Sequence, residues 1–266
     1  MKIVAITDHD TVRGVMKVKE RVQDGMRIIS GMELSSYSDT ENYIHLACYF
    51  PKTADLSKIL EEMDSHVREV RVQRCKTILG KLEQDGYHIP YSDIEAKTKD
   101  CYPSLPVIAQ CLLEHHYINT IPEAYIRFIG NNCKYFEPVK LYNLEQAIQF
   151  IHKFNGLCAV AHPWLYNYPI RVCKEALQYG VDGVECFPPR HHPEASSVVY
   201  RTFCHKHNLF CCSGSDFHGV TSSEVGIGEN VFPEKEVGAT LELFEQKGIL
   251  YRVFFKTESN KQAINP

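Results

Sequence analysis

The sequence predicts an α/β fold of the barrel type, and three observations predict it. Short apolar, β-branched runs alternate with segments of helical periodicity over most of the chain. Most of these runs end in a histidine, an aspartate or a glutamate. A charge-rich middle block, from about residue 55 to residue 135, interrupts the alternation with helical patterns alone. Together these patterns are typical of a β/α barrel whose site forms at the ends of its strands, with a helical insertion.

The first three predicted strands each carry one potential metal ligand. Residues 3–7 form a short buried strand that ends next to His9, and a helix follows from Val12 to Arg21 with Asp10 or Thr11 as its N-cap. Residues 27–34 form the second strand, with Glu33 near its end, and residues 43–50 form the third, which carries His45.

The remaining elements complete the alternating pattern. Helices are predicted within the insertion at 55–86, 104–116 and 121–130. The predicted elements of the second half are helices at 144–154, 170–179, 194–207 and 237–247 and strands at 156–161, 181–187, 209–211 and 250–255. The strand at 156–161 ends next to His162, and the strand at 181–187 contains Glu185.

The stretch from Cys212 to Gly219 carries the strongest site signal. It follows a buried strand, turns through small residues, and places Asp216 and His218 at alternate positions. Side chains two apart on an extended segment point the same way, so one strand end presents a carboxylate and an imidazole together. The candidate ligands are then His9, Glu33, His45, His162, Asp216 and His218. Four imidazoles and two carboxylates suit Mn, Fe or Zn and more than one ion. The alternative is that some are ordinary hydrogen-bonded histidines.

Composition restricts the class of protein. The chain has 266 residues, 44% of them hydrophobic, which is enough for one large domain with a full core. Its net charge of −4 does not predict binding to duplex nucleic acid. There is no apolar run long enough to cross a membrane and no signal-peptide pattern at the first residues. The 11 cysteines, mostly in apolar settings, predict reduced thiols in a cytoplasmic protein.

These motifs resemble those of the PHP (polymerase and histidinol phosphatase) family. The matching stretches, in order, are Ile6-Thr7-Asp8-His9-Asp10-Thr11, Gly31-Met32-Glu33, Ile44-His45-Leu46, Ala161-His162-Pro163 and Gly214-Ser215-Asp216-Phe217-His218-Gly219. The resemblance spans about residues 3 to 255 and is closest to stand-alone bacterial phosphoesterases, including nucleoside 3′,5′-bisphosphate phosphatases.

The resemblance implies a fold, cofactors and residue roles. It implies a distorted seven-stranded β/α barrel with up to three Mn, Fe or Zn ions. Glu33 would bridge two ions, with His45 and His162 at one of them, His9 and His218 at another, and Asp216 at the third. The segment from Val184 to Glu194 resembles the wall of the substrate pocket, so His191 is the candidate catalytic imidazole and Arg190 and His191 the candidate substrate-binding residues.

The sequence departs from the family pattern in three places. The His-x-His of the first strand is missing together with its strand–helix unit of about 30 residues. We therefore expect an open seam beside residues 3–7, and we expect Met1 to be internal to a longer natural chain or the chain to be truncated. Leu105-Pro106-Val107 replaces an Arg-Pro-His, and Trp164-Leu165-Tyr166 replaces small or basic residues. The loss of an arginine that grips phosphate weakens the prediction of the same substrate.

Two main functional hypotheses follow. The first is a metal-dependent phosphoesterase in which a metal-bound hydroxide attacks phosphorus in a phosphorylated small molecule, a nucleotide or a short nucleic-acid end. The second is a truncated or degraded relative that binds a ligand without turnover. Hydrolysis of another bond, such as an amide, is a weaker third hypothesis, because similar metal sites serve different pockets.

Overall fold

The fold is a curled, mixed sheet covered by helices. The computed structural model describes residues 3–19, 26–99, 101–131, 133–188, 197–218, 226 and 232–250. The strands are β1 (Ile3–Ile6), β2 (Arg27–Tyr37), β3 (Ile44–Phe50), β4 (Tyr142–Asn143), β5 (Leu157–Val160), β6 (Gly183–Glu185) and β7 (Phe210–Cys212). The helices are α1 (Arg13–Lys19), α2 (Leu56–Gln84), α3 (Tyr91–Lys97), α4 (Leu105–Glu114), α5 (Ile121–Ala124), α6 (Leu144–Lys153), α7 (Pro169–Gln178), α8 (Ser197–His207) and α9 (Glu234–Gln246). A π turn, Tyr125–Ile129, follows α5, and a 3-10 turn spans Pro163–Leu165.

The sheet has the strand order β1-β2-β3-β5-β6-β7, and the short β4 pairs with the end of β2. In the described part of the chain β1 and β7 are its two edges, so the sheet is a half-barrel rather than a closed one. The prediction of an α/β barrel with a helical insertion is confirmed in this partial form. The sequence patterns did not indicate strand direction, and the structure shows that β3 runs antiparallel to both β2 and β5.

Strand alternation separates two layers of side chains. Even-numbered residues of β3, such as Leu46 and Cys48, belong to the main core together with residues of α1, α2, α6, α7 and α8. Odd-numbered residues, such as Tyr49, face the other side, where α9 packs. Phe244 of α9 lies 5.1 Å from the ring of Tyr49 and 5.4 Å from that of Phe210, measured between centroids. We call this second side the inner face.

The insertion has its own core and shares one long helix with the sheet. The 29-residue α2 begins at the N-cap Asp55, whose side chain accepts a hydrogen bond from the Lys58 amide. Its first half buries Ile59 and Met63 in the main core, and its second half buries Ile78 and Leu82 in a separate cluster formed with α3, α4 and residues up to Tyr135. Sequence patterns predicted α2 and α4 but missed α3, a seven-residue helix with a single buried residue. The predicted strand at 250–255 lies almost wholly outside the described residues.

A buried ion pair ties α2 to the strand that carries Glu33. Asp10 is fully buried, and its carboxylate accepts hydrogen bonds from the Ser35 amide at 2.6 Å and from the Arg71 guanidinium of α2. Burial alone would raise the pKa of Asp10, but the charges of Arg71 and His9 and the hydrogen bonds from Ser35 and Arg71 together lower this pKa. Asp10 is therefore not the N-cap of α1. The Thr11 hydroxyl accepts the Arg13 amide instead.

Replacing either Asp10 or Arg71 leaves the other residue as a buried charge without compensation. We expect Asp10→Asn or Arg71→Met to lower the free energy of unfolding by about 3–5 kcal/mol. The double variant should lose less than the sum of the two, because both single variants disrupt one interaction. Urea unfolding measures this. Lys97→Met, which removes a surface pair with Glu114, is the control and should leave unfolding unchanged. Additive losses would show that the pair is not coupled.

Candidate metal centre

The inner face of the sheet collects polar side chains at one rim. Glu33 in β2 lies beside Ala47 of β3, and the neighbouring pair in the same register is Ser35 and His45. Because β3 is antiparallel, its first residues meet the ends of the parallel strands β5 and β6. The Ala161 amide accordingly donates to the His45 carbonyl at 2.9 Å, which brings His162 next to His45.

Glu33, His45 and His162 form the tightest cluster. Glu33 Oε1 lies 2.7 Å from His45 Nδ1 and 2.9 Å from His162 Nε2, and the two ring nitrogens are 3.1 Å apart. All three residues are buried. Ligand atoms bound to one cation at about 2.1 Å are separated from each other by roughly 3.0 to 3.4 Å. The three separations of 2.7, 2.9 and 3.1 Å lie at or just below this range, so the three atoms converge closely enough to hold a single ion with a small outward shift.

The electrostatics of the cluster also fit a cation. Burial would raise the pKa of Glu33, but His9 and His45 lower it well below its ordinary value. Burial would lower the pKa of His162, yet its hydrogen bond to Glu33 and the charges of the carboxylates around it, Glu33 first, together raise that pKa to about 9. Within the described residues, His9 Nδ1 and His162 Nδ1 are buried and make no hydrogen bond. A carboxylate that draws positive charge, next to the unpartnered Nδ1 of His9 at 3.7 Å from Glu33 Oε2, fits a divalent ion with nitrogen and oxygen ligands.

A second group adjoins the first. His9 follows β1, with Nδ1 3.7 Å from Glu33 Oε2 and its ring 4.8 Å from the ring of His45. On its other side, His9 Nε2 lies 3.4 Å from His218 Nε2. Burial lowers the pKa of His9 to about 4, although Glu33 opposes the shift, so its ring is neutral and has a lone pair for a ligand bond at pH 7. The two oxygens of Glu33 thus face two separate groups of histidines.

Asp216 stands at the exposed side of the same rim. Its pKa is raised by burial and by the charge of Glu33, and the imidazoles of His218, His162 and His45 oppose that rise. The Asp216 carbonyl contacts His218 Nδ1 at 2.7 Å. The structure therefore brings all six predicted ligands to one rim. The predicted Arg190 and His191 lie outside the described residues, so the catalytic and substrate-binding roles assigned to them stay predictions.

Glu185 belongs to this rim, although the sequence placed it only in the predicted pocket wall from Val184 to Glu194 and not among the candidate metal ligands. Its carboxylate accepts the His162 amide at 2.7 Å, and burial raises the pKa of Glu185 to about 7. His162 has φ 29°, in the left-handed region, where a residue with a side chain is strained. Glu185 is the last residue of β6, and a carboxylate at the end of a buried strand is the signal that would have found it.

Tyr166 belongs to Trp164-Leu165-Tyr166, one of the departures from the family pattern, and its contacts give a reason for that departure. Its hydroxyl accepts the His45 amide at 3.0 Å and donates to the Ala161 carbonyl at 2.8 Å. It thereby fixes the start of β3 against the end of β5, which are the backbone segments that carry His45 and His162. A small or basic residue at this position would not make both hydrogen bonds.

The rim opens into a cavity of about 1040 Å³ on the inner face. Its lining includes the candidate ligands His9, Glu33, His162, Asp216 and His218, together with β1, Tyr49 and Phe217. This volume accommodates a ligand of nucleotide size. The edge strand β1 forms part of the wall, as expected for an open side of the barrel.

Comparison by sequence finds relatives among exoribonucleases. The chain is 24% identical over 223 residues to a 5′-3′ exoribonuclease of Haemophilus influenzae, which covers 82% of this chain and 80% of the relative. It is 22% identical over 223 residues to the 5′-3′ exoribonuclease Rnm of Escherichia coli K12, which covers 81% of this chain and 74% of the relative. No protein-family model matches the chain.

Comparison by structure finds the same fold in two solved proteins. A protein of Bifidobacterium adolescentis described as a metal-dependent phosphoesterase superposes with a TM-score of 0.75 at 24% identity, covering 93% of this chain and 86% of that one. An amidohydrolase of Chromobacterium violaceum, solved with sulfate and no metal, superposes with a TM-score of 0.75 at 19% identity, covering 91% and 86%. No helix in the described ranges is both long and apolar enough to cross a membrane.

The hydrogen bond between Glu185 and the His162 amide predicts that two substitutions of Glu185 differ in their effect on the free energy of unfolding. We expect Glu185→Ala to lower the free energy of unfolding by about 1–3 kcal/mol, because a buried amide loses its acceptor at a strained residue. Glu185→Gln keeps an acceptor oxygen and should cost less. Urea unfolding of the metal-free protein distinguishes them. Equal losses for both variants would mean that the charge of Glu185, and not its hydrogen bond, matters to stability.

Proposed function

We propose that this chain is a PHP-type metal-dependent phosphoesterase, and hence a hydrolase, that acts on phosphate esters of nucleotides or on the 5′ ends of short nucleic acids. The observation that carries the proposal is the mutual contact of Glu33, His45 and His162, with His9 and His218 on the other side of the same carboxylate.

The proposed cofactors are divalent Mn, Fe or Zn ions, of which the complete family site is expected to hold up to three. Glu33 would bridge two ions, with His45 and His162 at the first and His9 and His218 at the second. Asp216 would hold a third. When bound, such ions activate a water molecule and neutralise charge that develops on the phosphoryl group.

The chain's own groups would position the substrate and exclude water. Tyr166, Glu185 and the pair of Asp10 with Arg71 fix the backbone behind the ligands. His191 would assist proton transfer and Arg190 would hold phosphate, and both assignments rest on the sequence motif alone.

The lining of the cavity and the net charge of the chain both support the proposed substrate class. Phe217 lies between the two ligands Asp216 and His218, is 44% exposed and lines the cavity, so it offers a face on which a base can stack. The net charge of −4 disfavours long duplexes. Two relatives are named as 5′-3′ exoribonucleases, which supports single-stranded RNA ends as the first substrates to test.

Removing one ligand of the tightest cluster tests the proposed chemistry. We expect His162→Ala to abolish Mn-dependent release of phosphate or mononucleotide and to reduce the bound metal measured by mass spectrometry. His152→Ala, which removes a surface histidine paired with Asp182, is the matched control and should retain both. Metal uptake by the unaltered chain without any hydrolysis would instead favour a non-catalytic relative. Activity retained in His162→Ala would contradict the proposed ligand set.

Replacing Phe217 tests the substrate class. Loss of stacking on one base costs ~1–3 kcal/mol, so we expect Phe217→Ala to raise KM for a short oligoribonucleotide by roughly tenfold. The same variant should leave the hydrolysis of glycerol phosphate, which has no base, nearly unchanged. A similar loss on both substrates would show that Phe217 supports the metal ligands and does not contact a base.

A further inference from the structure

Three cysteines meet on the face of the sheet opposite the proposed catalytic centre. Cys186 follows β6, Cys204 lies in α8 and Cys211 lies in β7. Their sulfur atoms all lie within 4.8 Å of one another, and those of Cys186 and Cys204 are 3.5 Å apart. All three side chains are buried in the main core. We call these residues the thiol triad.

Strand geometry explains why the triad is separate from the rim. Neighbouring residues of a strand point to opposite faces, so Glu185 faces the cavity while Cys186 faces α8. Likewise Cys212 belongs to the inner face and Cys211 to the helix side. The Cys186 amide donates to the Cys212 carbonyl at 2.9 Å, which holds the two strand ends together and brings the two thiols into one group.

The donor atoms of the thiol triad differ in chemistry from those of the rim. The nitrogen and oxygen ligands of the rim suit harder ions such as Mn²⁺, whereas three thiols select soft ions such as Zn²⁺, Cd²⁺ and Cu⁺. Structural zinc sites commonly combine three cysteines with one histidine. A nitrogen of His205 and a carboxylate oxygen of Glu236 also lie within 4.8 Å of the Cys211 sulfur, so further donors adjoin the triad on its solvent side.

The burial of cysteines as small apolar side chains does not by itself explain why these three thiols meet. Nine of the eleven cysteines are buried, yet within the described residues these three form the one group composed of thiols alone. The positions 186, 204 and 211 form no spaced sequence motif, and they come together only through the pairing of β6 with β7 and the packing of α8.

We propose that Cys186, Cys204 and Cys211 bind one thiophilic metal ion at a structural site that is distinct from the catalytic centre. Binding displaces the thiol protons to solvent and forms metal–sulfur bonds, with no change of oxidation state. The ion would join β6 and β7 just behind Glu185 and the Ser213–His218 segment, and so would stiffen one side of the cavity.

Cadmium titration of the reduced, metal-free full chain tests the proposal. Thiolate–cadmium charge transfer absorbs in the ultraviolet, whereas binding to histidine and carboxylate does not produce that band. We expect a band that saturates at one ion per chain and that excess Mn²⁺ does not remove. Cys204→Ala should abolish it. The matched control Cys48→Ala, which removes a buried thiol outside the triad, should keep it, as should His162→Ala.

A measurement on the unaltered chain covers the case in which a triad variant fails to fold. Zn²⁺ should slow alkylation of Cys186, Cys204 and Cys211 by N-ethylmaleimide in mild urea, as read by peptide mass, while Cys48 and Cys173 react at an unchanged rate. The proposal is overturned if no thiolate band appears, if the band survives in a folded Cys204→Ala variant, or if Zn²⁺ protects none of the three thiols.

Discussion

The buried carboxylate of Glu33 is the constraint on which the site depends. A carboxylate in the inner face of a sheet costs several kcal/mol unless positive charge compensates it. Here both oxygens face imidazoles, with His45 and His162 on one side and His9 on the other. A divalent ion beside this carboxylate would compensate its charge more fully than the imidazoles, which bring only the protons they can hold. The chemistry proposed for the protein thus follows from the charge requirement of one residue.

A shell of hydrogen bonds keeps that carboxylate and its partners in place. Asp10 binds the Ser35 amide two residues beyond Glu33, and Arg71 links Asp10 to the long helix of the insertion. Tyr166 and Glu185 hold the backbones of His45 and His162 from the other side. Supporting contacts of this type orient metal ligands and tune their basicity. The insertion is therefore part of the site's support as well as a separate core.

The two faces of β6 and β7 carry donor sets of opposite character. Glu185 and the segment after Cys212 face the cavity with oxygen and nitrogen atoms, and Cys186 and Cys211 face α8 with sulfur. The period of two along a strand makes this separation possible within a few residues. Two kinds of metal ion can then be bound to the same strands without competing for ligands.

The sequence by itself determined the α/β barrel class, most of the elements and the six candidate ligands, because those features are local. Apolar runs, helical periodicity and a polar residue at a strand end can each be recognised within about ten residues. Only the tertiary structure decided the rest. It showed that β3 is antiparallel, that Asp10 pairs with Arg71, that Glu185 supports His162 and that three cysteines from separate elements meet. Each of these depends on strand order and helix packing between residues far apart in the chain, and single-sequence patterns contain no record of such distances.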